Sequence, residues 1–505
     1  MSSKDHGQGG ASPLRQLCPH RSHKRKKRTI STEAATYTRQ HLHRACKLVL
    51  EDTGECFFRM QKELNEMLKP RRKRLPKLPP EIWIKIFGYI TQYRQYPFML
   101  NGPLVCKYWY DLCRDPSLWT YVRVPYGGCY WNKRTDPFLM WMAKNRLAPC
   151  KEIDLTGWDI TTLAVHELAK NCPRLEVVNL SYCTKVNKDI VEYLTRHCPN
   201  ITTLDLSHTS NDLVSISSMT GIVERYNSQL LSLNLSGNLM HGFHWLINAI
   251  CEQCPNLEVL SVYYCRVDVL ALDVERLQSS LLQLRSLNLG YLLATSVNIE
   301  EKPSYLSPGF KSLEDLCIAV GPPCDFRKPL PVNDNFIERM VLASRQLKSL
   351  DVRGAERYSI QTLLKLPCPD LEKLVLGIRV IDDPRGLPHL VKQWRHSLTE
   401  LVLSYSSFCM CDVTCAVNCL VSSENRVLHR IELENMDVEM PLIRAICDNC
   451  PNLKTVNLQK CFLLPKKLRR LFFNKTRIDN FRYLVSYFCK QMNINRGGCV
   501  HCHCH

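Results

Sequence analysis

No stretch of this 505-residue chain approaches the roughly 20 consecutive apolar residues that a membrane-spanning helix needs. The first residues, MSSKDHGQGG, lack the apolar segment of a secretory signal. Gly-rich phosphate loops, HExxH and GxSxG patterns are missing too, and no cysteine stands with a histidine in a recognisable nucleophile pattern. These absences exclude the common nucleotide-cleaving, zinc-protease and serine-hydrolase designs. The expected compartment is the nucleus and/or cytoplasm, where disulfides are disfavoured, so the 27 cysteines are read as packing residues.

What is present begins with charge. The formal net charge is +19, yet residues 1–77 alone hold 19 Lys/Arg against 7 Asp/Glu. Basicity is therefore the property of an arm rather than of the whole surface. Two runs stand out in it: Lys24, Arg25, Lys26, Lys27 and Arg28, then Arg71, Arg72, Lys73 and Arg74. They suit nuclear import receptors, nucleic-acid phosphates or a solvated tail, but no aromatic interleaving supports nucleic acid. Between them helices are expected over 32–50 and 53–68, with Phe57, Met60, Leu64 and Met67 on one face.

From Cys150 to Leu458 the chain repeats an apolar residue, two variable ones, an apolar, a variable and an apolar. LEVVNL (Leu175–Leu180), LEVLSV (Leu257–Val262) and LKTVNL (Leu453–Leu458) are the cleanest of twelve copies, spaced 24 to 34 residues apart. A unit of this length cannot bury its apolar face alone and needs neighbours on both sides. Many copies open with Cys-Pro, as at Cys172, Cys198, Cys254, Cys368 and Cys450, where proline stops the preceding helix. Cys183, Cys265 and Cys461 stand three residues after a copy's last apolar position. This pattern resembles the cysteine-containing leucine-rich repeat. CEQC (Cys251–Cys254) and CDNC (Cys447–Cys450) have zinc-ligand spacing, but each ends in a repeat-opening Cys-Pro and they lie many repeats apart. No metal or cofactor is expected. The terminal CVHCHCH (Cys499–His505) offers soft donors without the spacing of a structural site and is read as a disordered end.

Side chains alternate along a strand, so residues beside the inward leucines should line an open inner face. That face includes Asp154, Asp205, Asp351, Glu432 and Glu434, and its acids outnumber its bases. Turn geometry and solubility explain such residues as well as partner binding does. The functional expectation is that these five hold a basic target segment. Two proline-rich excursions, Glu300–Phe310 and Gly321–Asp334, interrupt the repeats.

Before the repeats stand LPPEIWIKIFGYI from Leu78 and, after a connector, LVCKYWYDLCRDPSLW ending at Trp119. Leu-Pro-Pro starts a helix, and Ile82, Ile86 and Ile90 line one of its faces. The segment resembles the F-box, the module that docks on the Skp-family adaptor of cullin-RING ubiquitin ligases. The resemblance implies adaptor contact by Leu78, Pro79, Ile82, Ile86, Phe87, Val105, Cys106, Trp109, Leu118 and Trp119. The connector Thr91–Pro103 is about four residues longer than in the usual F-box and lacks its Asp-Leu, which bears on adaptor affinity.

The expected fold is α/β: a leucine-rich-repeat solenoid (horseshoe) preceded by a small all-α F-box and a basic, partly disordered N-terminal arm. Its divisions are a tail at 1–30, a helical arm at 31–74, the F-box at 75–122, a connector at 123–149, repeats at 150–461, a cap at 462–490 and a tail at 491–505. The resemblance implies a non-catalytic substrate-recognition subunit of a Skp-cullin-F-box ubiquitin ligase. Its partners would be the adaptor, through it cullin and RING subunits, and a protein substrate, with no membrane and no nucleic acid. The alternative is a binding scaffold of the same build acting outside ubiquitin transfer.

Overall fold

The computed structural model describes residues 78–494 except 124–133, 188, 210–215, 322–326, 356–357, 378–385 and 405–409. The basic runs, the two helices expected in the arm and the CVHCHCH end lie outside the described residues.

Each of the twelve copies forms a three-residue strand that ends one residue before the copy's last apolar position. The strands stack in parallel and in sequence order within a 14-stranded sheet. Their middle residues, such as Ile153, Val178 and Leu204, point inward and are at most 1% exposed. Helices return on the opposite side and pack their own apolar stripe on the same core, as Ile190, Val191 and Leu194 do on Asp189–His197.

The sheet exceeds the repeats by one strand at either end. Tyr121–Arg123 pairs with Glu152–Asp154, so the sheet begins in the last residues of the expected F-box rather than at Cys150. Leu471–Phe473 closes the other end antiparallel to Thr455–Asn457. Helix Lys475–Gln491 follows, with Phe481 against Phe472 at 4.9 Å. Arg482 of this helix donates to the carbonyls of Cys447 and Cys450, which satisfies the free end of the last repeat helix.

The cysteines have specific positions in this architecture. Cys172, Cys254 and Cys450 terminate repeat helices with non-helical dihedrals, as a following proline requires. Cys183, Cys265 and Cys461 donate to the carbonyls of Leu155, Leu235 and Leu433, each the last apolar residue of the preceding copy. Asn238 occupies the equivalent position in its copy and donates to Leu206 in the same way. Burial pushes the Cys183 and Cys265 thiols up to about 12, which leaves them protonated and able to donate. In most copies the residue just before this position is left-handed. At Gly354 (φ 73°) a Cβ would stand 2.0 Å from the Val320 carbonyl oxygen.

The excursion Glu300–Phe310 is part of the packing. Ser304 and Ser307 donate to Glu338 and Glu275, and the Gly309 amide donates to Gln278. Beneath it Arg339, 2% exposed, holds Glu275 through two bonds of 2.8 Å and donates to the Glu300 carbonyl. Burial alone would raise the Glu275 carboxyl, but the bonds from Arg339 and Ser307 prevail and hold it at about 2. A depressed folded value means stability that is present above the ordinary carboxylate range and lost as pH falls through about 2.

Arg339→Ala removes both guanidinium bonds to Glu275 and leaves it Ser307 and Lys302; it is expected to cost about 1–3 kcal/mol in urea unfolding. Glu275→Gln should remove part of the native protein's loss of stability between pH 4.5 and about 2, measured by thermal melts along the acid limb.

Candidate functional site: an exposed apolar stripe on the helical module

The helical module opens with Pro80–Asn101, longer than expected because it runs through nearly all of the connector. Pro97 removes one backbone donor without ending it; the break comes at Gly102-Pro103, where a 3₁₀ turn begins. Cys106 then caps the helix Lys107–Leu112, its sulfur accepting from the Trp109 amide.

The extension contributes to the module's interior. Phe98, which it supplies, packs on Phe87 at 4.8 Å, and Phe87 also meets Trp109 at 4.9 Å. Trp83 closes the cluster, 5.1 Å from Trp109. At Gly102 a Cβ would stand 3.1 Å from the Phe98 ring and 3.2 Å from the Cys113 sulfur, so the second segment approaches as closely as it does because no side chain intervenes. Trp119 donates from Nε1 to the Cys113 carbonyl, and Arg146 from the next helix lies over its ring at 5.9 Å.

This packing divides the ten expected adaptor residues. Phe87, Leu118 and Trp119 are at most 4% exposed and belong to the interior, which corrects their assignment as contacts. They sit on the inward side of helical turns whose outward side is also apolar, so composition alone does not separate them. Trp109 is half-buried in the aromatic cluster. Pro79, Ile82, Ile86, Val105 and Cys106 are exposed, and Leu78 is partly so. Ile82, Ile86 and Tyr89 form one stripe at helical spacing, with Tyr89 67% exposed. Leu104, 80% exposed, and Tyr108, whose hydroxyl donates to the Leu78 carbonyl, extend the surface. Tyr89, Leu104 and Tyr108 were missed by sequence reasoning, although the 82-86-89 spacing was there to show the first.

The acids of the inner face have internal duties. Asp154, Asp205 and Asp351 each accept from the backbone amide two residues ahead, at Thr156, Ser207 and Arg353. Asn179, Asn234, Asn288 and Asn457 make the same turn, so this column fixes the chain's exit from each strand. Asp154 also pairs with Arg123, Asp351 with Arg353, Glu432 with Arg430 and Glu434 with Lys460. Of the five expected substrate contacts only Asp205 has no ion pair among the described residues; outside those five, Glu152 and Asp315 share that condition. A signal was present in sequence: Asx followed two residues later by Ser or Thr, as in Asp154-Leu-Thr156 and Asp205-Leu-Ser207.

A small helical module fused to a leucine-rich-repeat array is the class that the fold defines. A family model described as F-box-like matches residues 75–124. F-box/LRR-repeat protein 23 of Arabidopsis thaliana is 26% identical over 33% of this chain and 43% of its own length, so the match spans less than half of that protein. F-box/LRR-repeat protein 22 of the same plant is 26% identical over 39% of this chain and 72% of its own length. These matches support assignment of the chain to the F-box/leucine-rich-repeat family. Among solved structures, a chain of the yeast Rad7 and Elc1 complex superposes with a TM-score of 0.46 at 16% identity, over 78% of this chain and 96% of that one.

Phe87→Ala is expected to destabilise the protein by about 3–5 kcal/mol. Ile86→Ala, on the exposed stripe, should change thermal unfolding by less than about 1 kcal/mol. Paired melting curves of the two variants check this division of the module.

Proposed function

We propose that the chain is the substrate-recognition subunit of a Skp-cullin-F-box ubiquitin ligase and performs no bond chemistry itself. The observation that carries this is the stripe Ile82, Ile86 and Tyr89, with Leu104 and Val105 beside it: large apolar side chains left in water on a module whose interior is otherwise complete. A Skp-family adaptor would cover it and bring the cullin and RING subunits. The repeats would hold the target near the charged ubiquitin carrier, gaining rate from proximity and orientation. The lengthened first helix gave the scaffold alternative its support. That helix turns Phe98 inward and leaves the stripe clear. The basic runs before residue 78 would serve nuclear import, with the protein working in nucleus or cytoplasm.

For the target, we place a basic segment against Glu152, Asp205 and Asp315, the inner-face acids not already neutralised by an ion pair among the described residues. Asp351 and Glu432 hold their own arginines and contribute less.

Leu78→Ala with Pro79→Ala should abolish co-purification of a Skp-type adaptor while thermal unfolding of the repeats is retained. An adaptor still bound would show the docking surface to be wrong. Once a target is known, reversing Glu152, Asp205 and Asp315 together should weaken its capture about tenfold, mainly through association rate and with strong salt dependence. Equal capture by the variant rules the acidic face out.

A further inference from the structure

The C-terminal end of the solenoid carries a surface that adaptor docking leaves unused. Between Phe462 and Arg477 stand six bases, Lys466, Lys467, Arg469, Arg470, Lys475 and Arg477, and no acid. Residues 78–505 hold a net charge of only +7, so this short segment carries most of the excess. None of the six makes an ion pair among the described residues.

The arginines are nonetheless held in place. Arg469 donates to the carbonyls of Leu464 and Phe462, and its guanidinium lies 5.6 Å from the Phe462 ring centre. Arg470 donates to the Lys467 carbonyl. Arg477 stands 4.1 Å above the Phe473 ring. Phe462, Leu463 and Phe473 are 64%, 57% and 43% exposed, so apolar surface and oriented positive charge alternate along one segment. Guarding the sheet's last strand against edge pairing needs one charge or so, not six bases with three large apolar side chains.

We propose that this surface binds an acidic, apolar-containing segment of a partner protein. Carboxylates would meet arginines whose side-chain entropy is already spent, and apolar residues would cover Phe462, Leu463 and Phe473. A nucleic acid fits less well. Bases stack on open aromatic faces, and here Arg469 and Arg477 lie over the rings of Phe462 and Phe473. This inference does not depend on the adaptor. A target carrying an acidic stretch for this end and a basic one for the inner face would be fixed in direction along the solenoid.

The test is fluorescence anisotropy on the full chain with three probes: a glutamate-rich peptide containing leucines, a lysine-rich peptide of equal length, and single-stranded DNA. The variant is Lys466→Glu, Lys467→Glu and Lys475→Glu together. All three side chains are exposed and none makes a hydrogen bond or ion pair among the described residues, so unchanged thermal unfolding is expected and is measured alongside. The glutamate-rich peptide should bind the native chain and lose about tenfold or more in affinity to the variant. A triple Lys→Gln variant should fall between the two. Failure of the acidic peptide to bind overturns the proposal. So does equal binding by native and variant chains, which would assign the peptide to the basic residues before 78, and so does DNA binding tighter than the peptide and lost in the same variant.

Discussion

Everything in this protein depends on one repeat satisfying the polar groups and covering the apolar side of the next. A three-residue strand brings a single inward side chain and leaves most of its backbone groups to neighbours. The ladder supplies them: Leu155 donates to Asn179, Leu180 to Asp205 and Leu206 to Asn234, at 2.8 to 2.9 Å. The thiols of Cys183, Cys265 and Cys461, and the Asn238 amide, add a donor from the next copy to the carbonyl at the end of a copy, which at Leu155, Leu206 and Leu235 also accepts from Trp158, Thr209 and Asn238 of its own copy. A carbonyl has two lone pairs, so a small donor at that position ties one copy to the next without competing with the turn inside the copy. Cysteine suits it because a protonated thiol donates once and otherwise packs as a small hydrophobe.

The same dependence joins the helical module to the repeats. The carbonyl of Thr120, the residue after Trp119, accepts from Lys151 and Glu152, where the first repeat starts. Val122 continues the inward column and Arg123 reaches Asp154. Phe138 stacks near Trp158 at 6.2 Å, and Arg146 lies over Trp119. The module is thus the first layer of the solenoid rather than a bead on a linker. A surface built this way keeps a fixed direction relative to the inner face.

The ladder was legible in the chain because alternation, Cys-Pro and copy spacing all report the same stacking. The end strands were not. Tyr121–Arg123 has one inward residue, Val122, and Leu471–Phe473 runs antiparallel, so neither repeats a pattern. The F-box-like residues located the helical module but not its exposed side, since apolar residues there face both ways. Phe87 and Ile86 are neighbours in sequence and differ in exposure by 0% against 36%. The inner-face acids misled for another reason: a carboxylate that caps its own turn and pairs with an arginine looks, in sequence, like one awaiting a partner.

The placement of charge follows from that distinction. Along the strands an Asp or Asn oxygen is needed to turn the chain, and at two of the three turning carboxylates, Asp154 and Asp351, the sequence supplies a base nearby, Arg123 and Arg353. Acidity there is largely a by-product of turning. No such need accounts for the bases between Phe462 and Arg477. Their arginines bond to carbonyls and rest on aromatic rings, interactions that orient a guanidinium without cancelling its charge. Charge neutralised within a repeat maintains the scaffold, whereas charge oriented and left unneutralised at its end is available to something outside the chain.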